Sequence, residues 1–150
     1  MIEYVQGDLL NVRDGLILHS VNCQRRMNSG IAKQIRKKYP EVYENYMKSS
    51  SGSSMLGEFV PVPISPFLIV GNCYTQEFYG NDGKLYASLT AIEKSLTMAM
   101  LYCTLNDIYR ISMPKIGAGL GGLNWEDVEK VVNNVFENFS KHLSLRIFYL

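Results

Sequence analysis

The stretch Pro114-Lys115-Ile116-Gly117-Ala118-Gly119-Leu120-Gly121-Gly122 sets glycines at alternating and adjacent positions between a predicted strand and a predicted helix. Residues without side chains expose backbone N–H groups to whatever lies above them, and a row of such donors near a helix start suits phosphate oxygens. The spacing of Gly117, Gly119 and Gly122 satisfies the formal dinucleotide pattern, but that pattern also wants a carboxylate at the tip of the next strand. Here that strand ends in Tyr149-Leu150, so a phosphate cradle remains without the dinucleotide fingerprint. Close backbone approach or positive φ is expected at Gly119 and Gly121. The bland alternative is a glycine-rich connection that serves only a tight turn.

A second loop, Asn22-Cys23-Gln24-Arg25-Arg26-Met27-Asn28-Ser29-Gly30, also runs from a strand into a helix, and two such loops side by side would clamp a diphosphate. Arg25 and Arg26 either add charge there or are simply solvated. His19 lies just upstream in an apolar run and has two readings: a hydrogen-bonded core group, or an imidazole whose ordinary pKa near 6.5 lets it move a proton at neutral pH. His142 is expected to be exposed. Cys23 has no evident activating base, and Cys73 and Cys103 read as buried thiols. No His, Cys or carboxylate cluster has metal-ligand spacing, so neither a metal nor a cofactor is expected.

The elements that must position these loops follow from periodicity. Ile2 to Gln6 is β-rich and is closed by Gly7-Asp8, and Leu16 to Val21 is an apolar run too short for a helix, hence a buried strand. Ile31 to Ile35 starts a helix that Pro40 stops, and Tyr39, Val42, Tyr43 and Tyr46 continue on a second one. Ser49 to Ser54 reads as a mobile, unpacked loop. Pro61 and Pro63 confine the strand from Glu58 to Ile64 to an edge. Phe67 to Tyr74 is a further central strand, and Ala87 to Leu105 carries Leu89, Ile92, Leu96, Ala99, Met100 and Cys103 at helical spacing. Ile108 to Met113 is a strand, Trp125 to Phe139 a helix capped by Asn124, and Leu145 to Tyr149 a terminal strand. Alternation of this kind predicts a mixed, mostly parallel sheet with helices on both faces, whose ligand site lies beyond the carboxyl ends of its strands.

Composition sets limits. The chain has 150 residues, 47% hydrophobic and 19% charged, with a formal net charge of +1. One domain covering 1–150 is expected, large enough for a core without staples. The balance of 15 Lys and Arg against 14 Asp and Glu makes a nucleic-acid partner unexpected, and no segment has the length of a membrane span. Three widely spaced cysteines and an amino terminus without signal-peptide character predict a soluble, unprocessed cytoplasmic protein.

Taken in order, these loops resemble the macrodomain family, whose members bind ADP-ribose. The likeness is carried by Val5-Gln6-Gly7-Asp8-Leu9-Leu10, by Leu18-His19-Ser20-Val21-Asn22-Cys23 running into Ser29-Gly30-Ile31-Ala32, by Asn72 to Gly80, and by Met113 to Leu120 with Asn124-Trp125-Glu126. The chain is most similar to the branch of ADP-ribose-1''-phosphate phosphatases and terminal ADP-ribose glycohydrolases. The resemblance implies a three-layer α/β macrodomain-like fold and a small-molecule ligand, ADP-ribose or ADP-ribose-1''-phosphate. It implies that Asp8 accepts from the adenine amino group, supported by the Leu9 backbone, and that Tyr149 packs near the adenine. It places Asn22 at the distal ribose, Ser20, Ser29, Gly30, Ile31 and Ala32 around ribose and diphosphate, and Ile116, Gly117, Ala118, Gly119 and Leu120 beneath a phosphate. His19 matches the histidine associated with the phosphatase members, so His19 and Asn22 are the implied catalytic pair. Glycohydrolases of this branch use a lysine after the fourth strand and an aspartate after the Gly-x-Gly-Leu turn. The corresponding stretch here reads Asn72-Cys73-Tyr74-Thr75-Gln76, and the second position is Gly121. The leading expectation is therefore phosphatase activity on ADP-ribose-1''-phosphate; a non-catalytic ADP-ribose-binding module stands second, and an ADP-ribosyl hydrolase third.

Overall fold

The computed structural model describes residues 2–80, 82–139 and 142–150. Six strands, β1 (Ile2–Gln6), β2 (Gly15–Asn22), β3 (Phe59–Pro63), β4 (Leu68–Gln76), β5 (Arg110–Pro114) and β6 (Ser144–Tyr149), form one sheet in the order β1-β6-β5-β2-β4-β3. Every pairing is parallel except β3 with β4. β3 is an edge strand, as its prolines require: Pro61 and Pro63 stand opposite Gly71 and Ile69, and a residue without an N–H is tolerated where one side of the strand has no neighbour.

Four helices, α1 (Gly30–Lys38), α2 (Pro40–Lys48), α3 (Leu89–Leu105) and α4 (Trp125–Glu137), cover the two faces. Leu16 and Leu18 of β2 enter the cluster with Ile92, Leu96, Met100 and Val132 of α3 and α4. Ile17 and Val21 enter the opposite cluster with Ile35, Val42 and Tyr46 of α1 and α2. This alternation along one strand is the period-two consequence of burial on both faces, and it gives three layers.

Boundaries differ from the periodicity in instructive places. α3 begins at Leu89 because Ser88 caps it, its hydroxyl accepting from the Ala91 N–H at 3.2 Å, whereas Ala87 bridges to Gln76. Asn124 occupies the N-cap position of α4 without a side-chain bond, and that helix ends at Glu137, not Phe139. Trp125 packs the start of α4 onto β1, its indole N–H donating to Tyr4 Oη at 2.9 Å. The serine loop is more anchored than its composition suggests. The Gly52 N–H donates to the Cys23 carbonyl at 2.8 Å, and Ser53–Met55 forms a 3-10 turn. No helix among the described residues is long and apolar enough to cross a membrane.

Candidate functional site

The carboxyl ends of the five parallel strands share one edge of the sheet, and there a cavity of about 610 Å³ opens between α1 and the glycine turn. From β2 it is lined by Ser20, Val21 and Asn22, from the α1 entrance by Asn28, Ser29, Gly30, Ile31 and Ala32, and from the turn after β5 by Pro114 to Gly117 and Gly119 to Gly121. Gln76, Tyr79 and Gly80 close the β4 side, and Arg26 adds a cation.

The walls offer unpaired donors. In α1 the first intrahelical bond runs from the Lys33 N–H to the Ser29 carbonyl at 3.2 Å, which leaves the N–H groups of Gly30, Ile31 and Ala32 without a helical acceptor. Ser29 makes no side-chain cap, so these donors stay open at the positive end of the helix dipole. In the glycine turn, Ile116, Ala118, Gly122 and Leu123 donate within the turn or to its flanks, while Gly117, Gly119, Leu120 and Gly121 have no internal acceptor among the described residues. Two facing sets of uncommitted N–H groups make an anion site.

The expected close backbone approach is found at Gly121, while positive φ falls elsewhere in the turn. Positive φ falls at Gly117 (+77°) and Gly122 (+84°), not at Gly119 or Gly121. At Gly121 a Cβ would lie 2.6 Å from the Gly117 carbonyl oxygen and 2.9 Å from Ala87 Cβ, so packing excludes a side chain. At Gly119 a Cβ would meet nothing within 4 Å, so its glycine leaves open the space that a ligand would fill.

Of the residues implied at the site, the structure brings Ser20, Asn22, Ser29, Gly30, Ile31, Ala32, Ile116, Gly117, Gly119 and Leu120 to the cavity. Asp8, Leu9, Ala118 and Tyr149 do not line it. Asp8 is exposed at the end of β1, and its Oδ1 accepts from the Leu10 N–H at 2.9 Å as cap of a 3-10 turn in which Leu9 is buried. Tyr149 ends β6, its ring 5.8 Å from Lys115 Nζ, and so reaches the cavity only through that lysine.

The two residues of the implied catalytic pair lie differently with respect to the cavity. Strand alternation turns His19 to the α1/α2 face with Ile17 and Val21, where its ring is 0% exposed and beside Asn72, its register partner on β4. Nε2 lies 2.5 Å from Asn72 Oδ1, which assigns the ring proton to Nε2, and Nδ1 has no partner. Burial pulls its pKa down from 6.5 to about 4 against the opposing Asn72 bond, so the ring is neutral near pH 7 and does not touch the cavity. Asn22 does border the cavity, but its amide is committed. Oδ1 accepts from the Gln24 N–H at 2.9 Å and from Tyr46 Oη at 2.9 Å, and Nδ2 donates to the Arg26 carbonyl at 2.9 Å. Asn22 therefore builds the loop and has little left for a ribose.

Other assignments resolve similarly. Burial, with Glu77 nearby, pushes the Cys23 thiol up to about 11, so it is no nucleophile at neutral pH. Arg25 is tied to the Ser49 carbonyl at 2.7 Å with φ of 59°, while Arg26 alone of the pair faces the cavity. His142 is exposed. Among the described residues no group of three metal-ligating side chains converges. Sequence reasoning flagged the loops but missed Asn28, Gln76, Tyr79, Gly80 and Lys115, since side chains on irregular loops carry no periodicity. The one cue was their position after strand ends.

A family model described as Macro domain matches residues 18–132, more than half of the chain. The DNA ADP-ribosyl glycohydrolase of Mycobacterium tuberculosis is 31% identical over 142 residues, covering 91% of this chain; the chain spans only 39% of that relative's length. The ADP-ribose 1''-phosphate phosphatase of Saccharomyces cerevisiae is 24% identical over 99% of this chain and 98% of its own. Among solved structures, the macrodomain of Mycobacterium tuberculosis DarG superposes with a TM-score of 0.84 at 25% identity, covering 100% of this chain and 98% of that one.

Proposed function

The chain belongs to the Macro domain family, and from that premise we propose that it binds an ADP-ribose-type ligand along the carboxyl edge of its sheet and hydrolyses ADP-ribose-1''-phosphate. The observation that carries the reading is the pair of N–H sets, at the start of α1 and in the glycine turn, with Arg26 and Lys115 as cations of the cavity and no carboxylate lining it among the described residues. Such a site favours a ligand rich in phosphate. The edge from β1 to β4 is about 19 Å long at about 4.8 Å per strand step. That length accommodates a nucleoside near Asp8 and Tyr149, the diphosphate at the turn, and a second ribose between β2 and β4. In this reading residues 1–150 form one macrodomain, and its three free, buried thiols fit a reducing cytoplasm.

Hydrolysis of the monoester needs a water oxygen to attack phosphorus while the bond to the ribose oxygen breaks and that oxygen takes a proton, yielding inorganic phosphate and ADP-ribose. Catalysis of this kind consists mainly of positioning and charge stabilisation. The open N–H groups and Arg26 stabilise charge on the phosphoryl oxygens. Ser20 Oγ, buried and without a hydrogen-bond partner on a residue that lines the cavity, orients the water. His19 supports β2 against β4 from the opposite face. Gly121 leaves no room for the aspartate that the resemblance gives to the glycohydrolases of that branch, which weighs against their chemistry here.

One observation favours a second reading: among the described residues no carboxylate, imidazole or thiol lines the cavity, which is also what a binding module without catalysis would show. Release of inorganic phosphate from ADP-ribose-1''-phosphate, measured beside calorimetric binding of ADP-ribose, separates the two. Turnover that falls by about 10²-fold in Ser20→Ala with binding retained is expected of the enzyme. Tight binding without phosphate release by the wild type leaves the module.

A further inference from the structure

Lys115 follows β5 directly and lines the cavity where the glycine turn begins, yet it makes no ion pair among the described residues. An exposed lysine ordinarily extends its ammonium into water. This one is set against two rings: its Nζ lies 5.9 Å from the centre of the Trp125 ring and 5.8 Å from that of Tyr149. Both distances fall within the range over which an aromatic face attracts a cation.

The rings are themselves held. The Trp125 indole N–H donates to Tyr4 Oη at 2.9 Å, Tyr4 Oη donates in turn to the Glu129 carboxylate, and the Tyr4 and Trp125 rings meet edge to face. Tyr149 is fixed by the sheet, where it stands opposite Gln6 of β1 and its carbonyl accepts from the Gly7 N–H at 2.9 Å. Glu129 is committed to Tyr4 and forms no ion pair with Lys115, and neither do Glu126 and Asp127 in the first turn of α4. A positioned cation on the wall of a ligand cavity, with no protein anion to neutralise it, is a recognition group for an anion.

Its place identifies that anion. In the ADP-ribose reading the adenine lies near Asp8 and Tyr149 and the diphosphate lies at the glycine turn, so the ligand group beside Lys115 is the ribose that joins them. The diphosphate has its own donors in the turn, at the start of α1 and on Arg26. Dinucleotide sites read the adenosine ribose by charge: a carboxylate accepts from a free 2'-hydroxyl, whereas a cation accommodates a 2'-phosphate. This chain has no carboxylate side chain at the tip of β6, which ends in Tyr149-Leu150, and sets a cation beside that tip. We propose that Lys115 is a specificity residue for the adenosine ribose, and that the cavity prefers an ADP-ribose ligand whose adenosine carries a 2'-phosphate. The position of the ribose rests on the ADP-ribose reading; the fixing of Lys115 by two rings does not.

Calorimetry at low salt with ADP-ribose and with 2'-phospho-ADP-ribose tests the preference. The wild type should bind the 2'-phosphorylated ligand about tenfold more tightly, as for one charged contact at an exposed site, and the ratio should shrink as salt rises. Lys115→Gln should bring the ratio to about one, and Lys115→Arg, which keeps the charge, should retain most of it. Because each variant is read as a ratio of two affinities, a general loss of binding does not imitate the result. Arg26→Gln removes the other cation of the cavity and should weaken both ligands while keeping their ratio. A ratio near one in the wild type, a ratio that survives Lys115→Gln, or a ratio lowered equally by Arg26→Gln each overturns the proposal. ADP-ribose bound without preference leaves the ADP-ribose reading standing and removes only the role of Lys115. Failure of the wild type to bind either ligand refutes that reading itself, and the proposal falls with it.

Discussion

Replacing His19 with Asn distinguishes a proton-transfer group from a buried strut. The ring is sealed under α1 and α2, bonded to Asn72 Oδ1 at 2.5 Å, and its pKa is pulled from 6.5 to about 4 by burial. A base whose folded pKa is depressed binds its proton more readily in the unfolded chain, so its stabilisation is present above pH 6.5 and is lost as pH falls toward 4. The slope in that window is about 1.4 kcal/mol per pH unit, and between pH 7 and pH 5 the wild type should lose about 2 kcal/mol from this group alone. Other groups titrate in the same range, so the quantity to read is the difference between wild type and variant. At pH 7 His19→Asn should be less stable by about 1–3 kcal/mol, since the shorter side chain leaves the Asn72 carboxamide without its donor. At pH 5 that gap should shrink by about 2 kcal/mol, because the variant has no imidazole to protonate. Urea unfolding of both proteins at the two pH values gives the numbers, and phosphate release per folded molecule gives the control. A stability gap independent of pH, or turnover lower by about 10²-fold with unchanged stability, would refute the argument and return His19 to catalysis.

Asp8→Ala should weaken ADP-ribose binding by about 1.5–3 kcal/mol, as for a charged hydrogen bond, while Asp8→Asn keeps the 3-10 cap and isolates the loss of charge. Unchanged calorimetric affinity in both would leave Asp8 as a cap only. Gly119→Glu should fold normally, since nothing lies within 4 Å of its Cβ, yet abolish ligand binding by bulk and charge. If that variant binds ADP-ribose like the wild type, the turn is a connector. Gly121→Ala should do the opposite, lowering stability by about 1–3 kcal/mol through overpacking against the Gly117 carbonyl and Ala87. A wild-type melting temperature would show that the turn relaxes freely.

Much of the fold was legible because its causes are local. The continuous apolar run from Leu16 to Val21, three-and-four spacing from Ile92 to Cys103, and the donor-free Pro61 and Pro63 each follow from short-range properties, and each led to the element observed. The ends were less legible, because Ser88 rather than Ala87 starts α3 through a hydrogen bond that depends on the loop around it. At the site, the sequence determined which loops matter: the small residues of Ser29 to Ala32 and Gly117 to Gly121 cannot cover their own backbone, and both stretches border the cavity. Only the tertiary structure decided which way β2 presents its side chains. A residue's place along a strand is fixed by sequence, but the face it points to is fixed by what packs there, and α1 and α2 close over His19 while Ser20, next along the strand, borders the cavity. The same holds for Asn22, whose amide was free in the sequence and spent in the structure on Gln24, Arg26 and Tyr46. Net charge, likewise a property of the whole chain, gave no sign that Lys115 is set against two rings, because only the folded sheet and α4 bring Tyr149 and Trp125 to it.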